Sequence, residues 1–220
     1  MIVLSIEMSA VENDVALLHD GALLARRTWQ AQTFHHTRLF EVLREVLAEA
    51  GVRPEQLELF AVGRGPGSFS GTRIALTAAQ ALAMPGGQPV IAVSSGAALA
   101  HEVASAGGVE KIAVIGDARR DTLWLGVFDG KTGASLQPTP WSTLPLTQLA
   151  GALPAGARIF SPDCARLLPH WPAGLPQPVA RYPTAAAVAA LALAVHASGS
   201  TPEPLLPIYL HPAVATPPKR

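Results

Sequence analysis

Apolar residues follow two different rhythms along this chain. The run Ile2–Ile6 is apolar at nearly every position, as in a strand buried on both faces. Two further strand patterns, Asp14–Leu18 and Gly21–Trp29, flank His19-Asp20-Gly21, and the Asp-Gly pair there is a strong hairpin signal. From Thr33 to Ala50 the period lengthens. Leu39, Val42, Leu43, Val46 and Leu47 fall at i, i+3, i+4, i+7 and i+8, which predicts an amphipathic helix ended by Gly51. Leu57–Val62 reads as a fourth strand running into the glycine-rich segment Gly63–Arg73. Thr72–Met84 reads as a second helix stopped by Pro85-Gly86-Gly87, and Val90–Val93 as a fifth strand. A third helix is predicted from Ser95 to about Ala104, ahead of Gly107-Gly108.

The strand pattern then restarts. Lys111–Gly116 and Thr122–Phe128 form a hairpin-like pair, and a third strand is expected near Ala134. A helix at Leu144–Ala150, a strand at Ala157–Phe160 and a helix at Thr184–His196 follow. Three meandering strands followed by alternating helices and strands give a mixed sheet with crossover helices. The order occurs twice, without residue-level repetition. The expected organisation is therefore α/β, with one lobe over residues 1–108, a reduced second lobe over 109–212 and a frayed tail over 213–220.

Composition narrows the partners. Lysine plus arginine and aspartate plus glutamate each number 16, so no positive field exists to hold a nucleic-acid backbone, and an RNA partner would be carried by another protein. One cysteine, Cys164, excludes an internal disulfide and fits a reducing cytoplasm. The opening MIVLSIEMSA does not read as a signal peptide, and the longest apolar runs are too short to span a bilayer.

The chemistry-bearing segment is GRGPGSFSGTR. Its glycines permit tight turns, and Ser70 is a plausible N-cap for the second helix, so backbone amides could receive an anion. The residues of such an anion or nucleotide loop are Gly65, Gly67, Ser68, Ser70 and Gly71, joined by the turn residues Asp117 and Arg119. No Gly-Lys-Ser/Thr closes the segment, so it is not a Walker loop, and a purely structural turn is the alternative. The second helix, TRIALTAAQALAM, carries few polar positions and wants cover on two sides, either within the chain or from a separate subunit. Metal and nucleophile patterns do not complete. His35-His36 has no imidazole four residues on, His101-Glu102 lacks the second histidine of HExxH, and no Gly-x-Ser-x-Gly elbow occurs.

Gly63–Ile74, Val93-Ser94-Ser95, Asp117-Ala118-Arg119-Arg120 and Pro207-Ile208-Tyr209-Leu210, in this order, resemble the bacterial TsaB proteins. These are glycoprotease-like partner subunits of the machinery that makes threonylcarbamoyladenosine at position 37 of tRNAs. The resemblance implies the actin-like, sugar-kinase and Hsp70 (ribonuclease H-like) fold, with two duplicated lobes. It implies no catalytic residue, no metal and no cofactor in this chain alone, with ATP only at an interface of the complex. The implied partners are a catalytic TsaD-type paralogue and a small P-loop ATPase of the TsaE type. Transfer RNA is touched through the complex, and a homodimer can use the same face. Carried over, the partner face consists of Leu39, Leu43, Arg44 and Val46 on the first helix and Arg73, Ile74, Thr77 and Ala78 on the second. Where relatives usually open with Ile-Asp-Thr-Ser-Thr, this chain has Ile6-Glu7-Met8-Ser9-Ala10, which lengthens the acid and removes two hydroxyls; His211 stands where relatives often carry arginine. An ATP-binding phosphotransferase of the actin-like class and, less favoured, a glycoprotease-type peptidase are the alternatives.

Overall fold

The computed structural model describes residues 1–31, 38–119 and 121–210. Strands β1 (Ile2–Glu7), β2 (Glu12–His19) and β3 (Ala22–Gln30) meander antiparallel. Helix α1 (Arg38–Ala50) leads to β4 (Leu59–Gly63), α2 (Phe69–Ala83), β5 (Val90–Val93) and α3 (Ser95–Ala106). The sheet order is β3-β2-β1-β4-β5, with β1, β4 and β5 parallel. The second half repeats the plan with β6 (Lys111–Arg119), β7 (Thr122–Asp129), β8 (Ser142–Pro145), α4 (Leu149–Ala152), β9 (Ala157–Ser161), α5 (Cys164–Leu167), β10 (Val179–Ala180) and α6 (Ala185–Ser198). Read from the opposite edge, its order β8-β7-β6-β9-β10 matches the first sheet strand for strand, parallel and antiparallel pairs included. This is the duplicated ribonuclease H-like arrangement of the actin-like class.

The continuous apolar runs are explained by cover on both faces. In the first sheet Leu4, Ile6, Val15, Leu17, Phe60 and Val62 point to α1 and α2, while their neighbours Val3, Ala16, Leu18, Leu59 and Ala61 point to α6. The alanines of α6 let it lie close against this second face. In return α3 packs Leu99, Ala100 and Ala104 against Ile112, Val114, Trp124 and Phe128 of the second sheet. The chain division at residue 108 therefore separates the strands of the two lobes, but the last helix of each half covers the other sheet.

Several boundaries differ from the sequence reading. No strand forms near Ala134, where only a bridge joins Phe128 to Ser135; the third strand is β8, and the helix expected over 144–150 shrinks to α4 behind a 3₁₀ turn. Pro145 decides this, since it lacks a donor and is tolerated at the end of an edge strand. The short α5 and β10 had no periodic signal. Of the first helix, residues 33–37 lie outside the described residues, as do the proposed tail 213–220 and His211.

Candidate functional site

Strand β4 delivers the chain into the glycine-rich loop and α2 carries it away. Ser68, rather than Ser70, caps α2: its Oγ accepts the Gly71 amide at 3.1 Å, and Ser70 stands exposed in the first turn. The cap lies two residues earlier than expected because α2 already begins at Phe69.

The concavity before this helix is filled by the chain itself. The Ser68 amide donates to the Ser9 carbonyl at 2.6 Å. A Cβ on Gly67 would stand 2.2 Å from that carbonyl oxygen, and one on Gly71 would stand 1.9 Å from the carbonyl oxygen of Met8. The glycines thus serve close backbone contact with the β1–β2 turn, in the space a bound anion would need. On the other side, the Gly65 amide donates to Ser95 Oγ at 3.0 Å and its carbonyl accepts the Ser95 amide at 2.8 Å. Gly65, Gly67, Ser68 and Gly71 are therefore brought together, but as a packed junction.

Glu7 sits at the centre of it, fully buried. Its Oε1 accepts the Ser9 amide at 2.6 Å, while Oε2 has no hydrogen-bond partner among the described residues. Burial pushes this carboxyl above its ordinary range, against the pull of the Ser9 and Ser95 hydroxyls and the Ser9 amide; Asp14, opposite on β2, adds to the rise. Asp117 and Arg119 belong to a separate cluster at the end of β6. Asp117 accepts the Arg119 amide at 2.8 Å, faces the guanidinium groups of Arg119 and Arg166 at 3.3 and 3.5 Å, and donates its own amide to Asp163. Burial raises the Asp163 carboxyl, with the Asp117 amide opposing. Among the described residues no hydrogen bond or ion pair joins this cluster to the glycine-rich loop.

A strap closes the loop from outside. Glu203 bridges to Ala92 and pairs with Arg64, whose carbonyl accepts the Ile208 amide at 2.9 Å. The Tyr209 hydroxyl accepts Arg73 Nε and Nη2 at 3.0 and 2.8 Å, and the Arg73 guanidinium lies 3.8 Å over the Phe69 ring. Leu205 packs into the first lobe and Leu210 into the second. In the sequence this segment stood out by its Pro207-Ile208-Tyr209-Leu210 motif alone; the spacing of Leu205, Ile208 and Leu210 was the available signal for its packing.

The partner face needs correction. Leu39, Leu43, Val46 and Ala78 belong to the core between the helices and their own sheet, so they have no area to offer. An amphipathic helix turns its apolar stripe inward, and these residues are that stripe. Arg44, Arg73 and Thr77 are exposed and Ile74 is half-buried. The outer face of α2 runs through Phe69, Arg73, Thr77, Gln80 and Met84, with Phe40 exposed on α1; Phe69 is 58% and Met84 78% accessible. Elsewhere a polar hollow of about 260 Å³ between the halves is lined by Glu12, Arg26, Glu102, Arg181, Tyr182 and Thr184. Among the described residues no group of three or more histidine, cysteine, aspartate or glutamate side chains is placed to hold a metal, and no helix is long and apolar enough to cross a membrane.

Two solved structures from Pseudomonas aeruginosa match nearly the whole chain. One, YeaZ, is 32% identical, covers 95% of this chain and 99% of its own, and has a TM-score of 0.77. The other, an uncharacterized protein with similarity to peptidase YeaZ, is 31% identical, with 96% and 99% covered and a TM-score of 0.78. Among curated proteins, the tRNA threonylcarbamoyladenosine biosynthesis protein TsaB of Bacillus subtilis is 31% identical over 140 residues, 64% of this chain. The chain belongs to the TsaB (YeaZ) family. This TsaB-family chain spans 60% of the length of that curated relative. The family model of TsaD, the tRNA N6-adenosine threonylcarbamoyltransferase, matches residues 29–134, which take in α1, the glycine-rich loop and α2.

Proposed function

We propose that this TsaB-family chain is a non-catalytic subunit of the complex that installs threonylcarbamoyl on adenosine 37 of tRNAs, docking the TsaD-type catalytic paralogue through the outer face of α2 and the adjoining part of α1. The observation that carries the reading is the outer stripe of α2, where Phe69 and Met84 stay in solvent while the opposite face of the helix is buried, with Phe40 likewise exposed on α1. Large apolar side chains gathered on one face mark a docking surface. The TsaD family model matches the same two helices, so chain and paralogue share the build of that face. Like faces pack about a two-fold or pseudo-two-fold axis, which is why the same surface suits both self-association and the paralogue. The packed glycine-rich loop favours this reading over a phosphotransferase, since its concavity is occupied by Met8 and Ser9. The P-loop ATPase joins the pair, ATP belongs to the interface of the assembly, and tRNA is handled by the complex.

Titration calorimetry with the purified paralogue tests this. The wild-type chain binds at micromolar concentration, and Phe69→Asp with Met84→Asp weakens binding by about 100-fold or more, as loss of central anchors does, while the melting temperature of the free chain holds. A wild-type chain that does not bind, or a double variant that binds like wild type, overturns the proposal.

A further inference from the structure

We infer that the C-terminal strap belongs to the docking face, with Tyr209 a positioning residue that holds Arg73 for a carboxylate on the partner surface; this rests on the docking reading above. Arg73 stands on the outer stripe of α2, between Phe69 one turn before it and Thr77 one turn after. Arg26, Arg27, Arg64 and Arg166 all pair with carboxylates of this chain, but among the described residues no carboxylate lies within ion-pair distance of Arg73. Its guanidinium is nevertheless fixed. The Phe69 ring supports it from below at 3.8 Å, and the Tyr209 hydroxyl takes Nε and one hydrogen of Nη2.

A guanidinium carries five N–H donors in a rigid fork. Tyr209 takes two of those donors along the single Nε–Nη2 edge, and the remaining hydrogens have no partner among the described residues. An arginine left mobile must give up its rotamer freedom when a partner arrives; one already held has lost it beforehand, so more of the contact energy appears as affinity. The exposed bonds between Arg73 and Tyr209 contribute little to folding in water. Their effect is on direction: the fork is presented against the exposed Phe69 ring, on the same helix that ends at the exposed Met84. The matching partner surface is an apolar patch bearing an aspartate or glutamate that meets the fork.

A double-mutant cycle on affinity for the paralogue tests the inference. Tyr209→Phe keeps the ring and removes only the acceptor. It is expected to weaken binding about 5- to 10-fold, as a lost contact to a charged group does, with the free chain melting as wild type. In the Arg73→Ala background the same change is expected to alter affinity less than about two-fold, since Tyr209 acts through Arg73. In the free wild-type chain, the Arg73 Nε–H NMR signal is expected to be protected from solvent exchange, and in Tyr209→Phe it is not. Wild-type binding that is indifferent to Tyr209→Phe, equal losses in both backgrounds, or an Nε–H signal unchanged by the substitution overturns the inference alone. A wild-type chain that does not bind the paralogue overturns the docking reading and this one together.

Discussion

Glu7 shows how a position can look like chemistry in the sequence and act as structure in the fold. An acid at the end of β1 beside a glycine-rich loop suggests a phosphate or cation site, yet the side chain is sealed, with Oε2 left unpartnered. The folded chain holds its proton to a higher pH than the unfolded chain does. The associated stability is therefore fully present below the ordinary value of 4.5 and is lost as pH rises through the folded value. Glu7→Gln, which cannot ionise, is expected to be more stable than wild type at pH 7 by roughly 1–3 kcal/mol, the usual cost of a buried group without a partner. The gap should close as pH falls toward 4.5 in urea unfolding; a variant less stable at pH 7 contradicts the assignment. At Gly71 the expected effect is opposite. A methyl there meets backbone, not a movable side chain. Gly71→Ala is expected to lose about 1–3 kcal/mol in the same assay, and a neutral result would mean that the turn can shift aside.

Among elements, α6 depends on a residue 171 positions away in sequence. Asp14, almost wholly buried on β2, accepts the Ala185 amide at the start of α6 at 2.8 Å and holds Arg26 through Nε and Nη2 at 3.0 and 2.9 Å. Burial disfavours the charged guanidinium, but the bond to Asp14 together with the charges of Asp14, Glu102 and Glu12 outweighs it, so Arg26 stays charged. Asp14→Ala strands that charge and an amide together, and is expected to cost about 3 kcal/mol or more and to speed hydrogen exchange in the first turn of α6; a loss under about 1 kcal/mol would contradict it. The sequence reached elements with strong periodicity and clear stops: the opening hairpin, α1 up to Gly51, α2 up to Pro85 and α6 behind Thr184. It missed β8, whose few residues are ordered by pairing with Leu123 and Trp124 rather than by any local pattern. It placed α1's apolar stripe correctly and gave that stripe the wrong duty, because periodicity shows that one face is covered without showing by what. The outer stripe of α2 is sparse and mixed, and only the burial of its neighbours makes it visible.

Across the whole molecule, the duplicated order was legible because strand and helix types alternate regardless of residue identity. The exchange of α3 and α6 was not, since packing between distant segments leaves no mark on either. It has a direct consequence for fragments. Residues 1–108 alone would leave Val3, Ala16, Leu18, Leu59 and Ala61 without α6. That fragment is expected to be expanded and to bind an apolar dye, whereas the full chain unfolds in one cooperative step by calorimetry; an independently folded fragment would refute the dependence. With α3, α6 and the strap each running from one half to the other, three tethers span the seam between the lobes. Opening the halves like a jaw would require pulling leucines and alanines out of two cores at once. The chain is built as a template of fixed shape: whatever docks on α2 meets a contour set at folding, and adjustment falls to the partner.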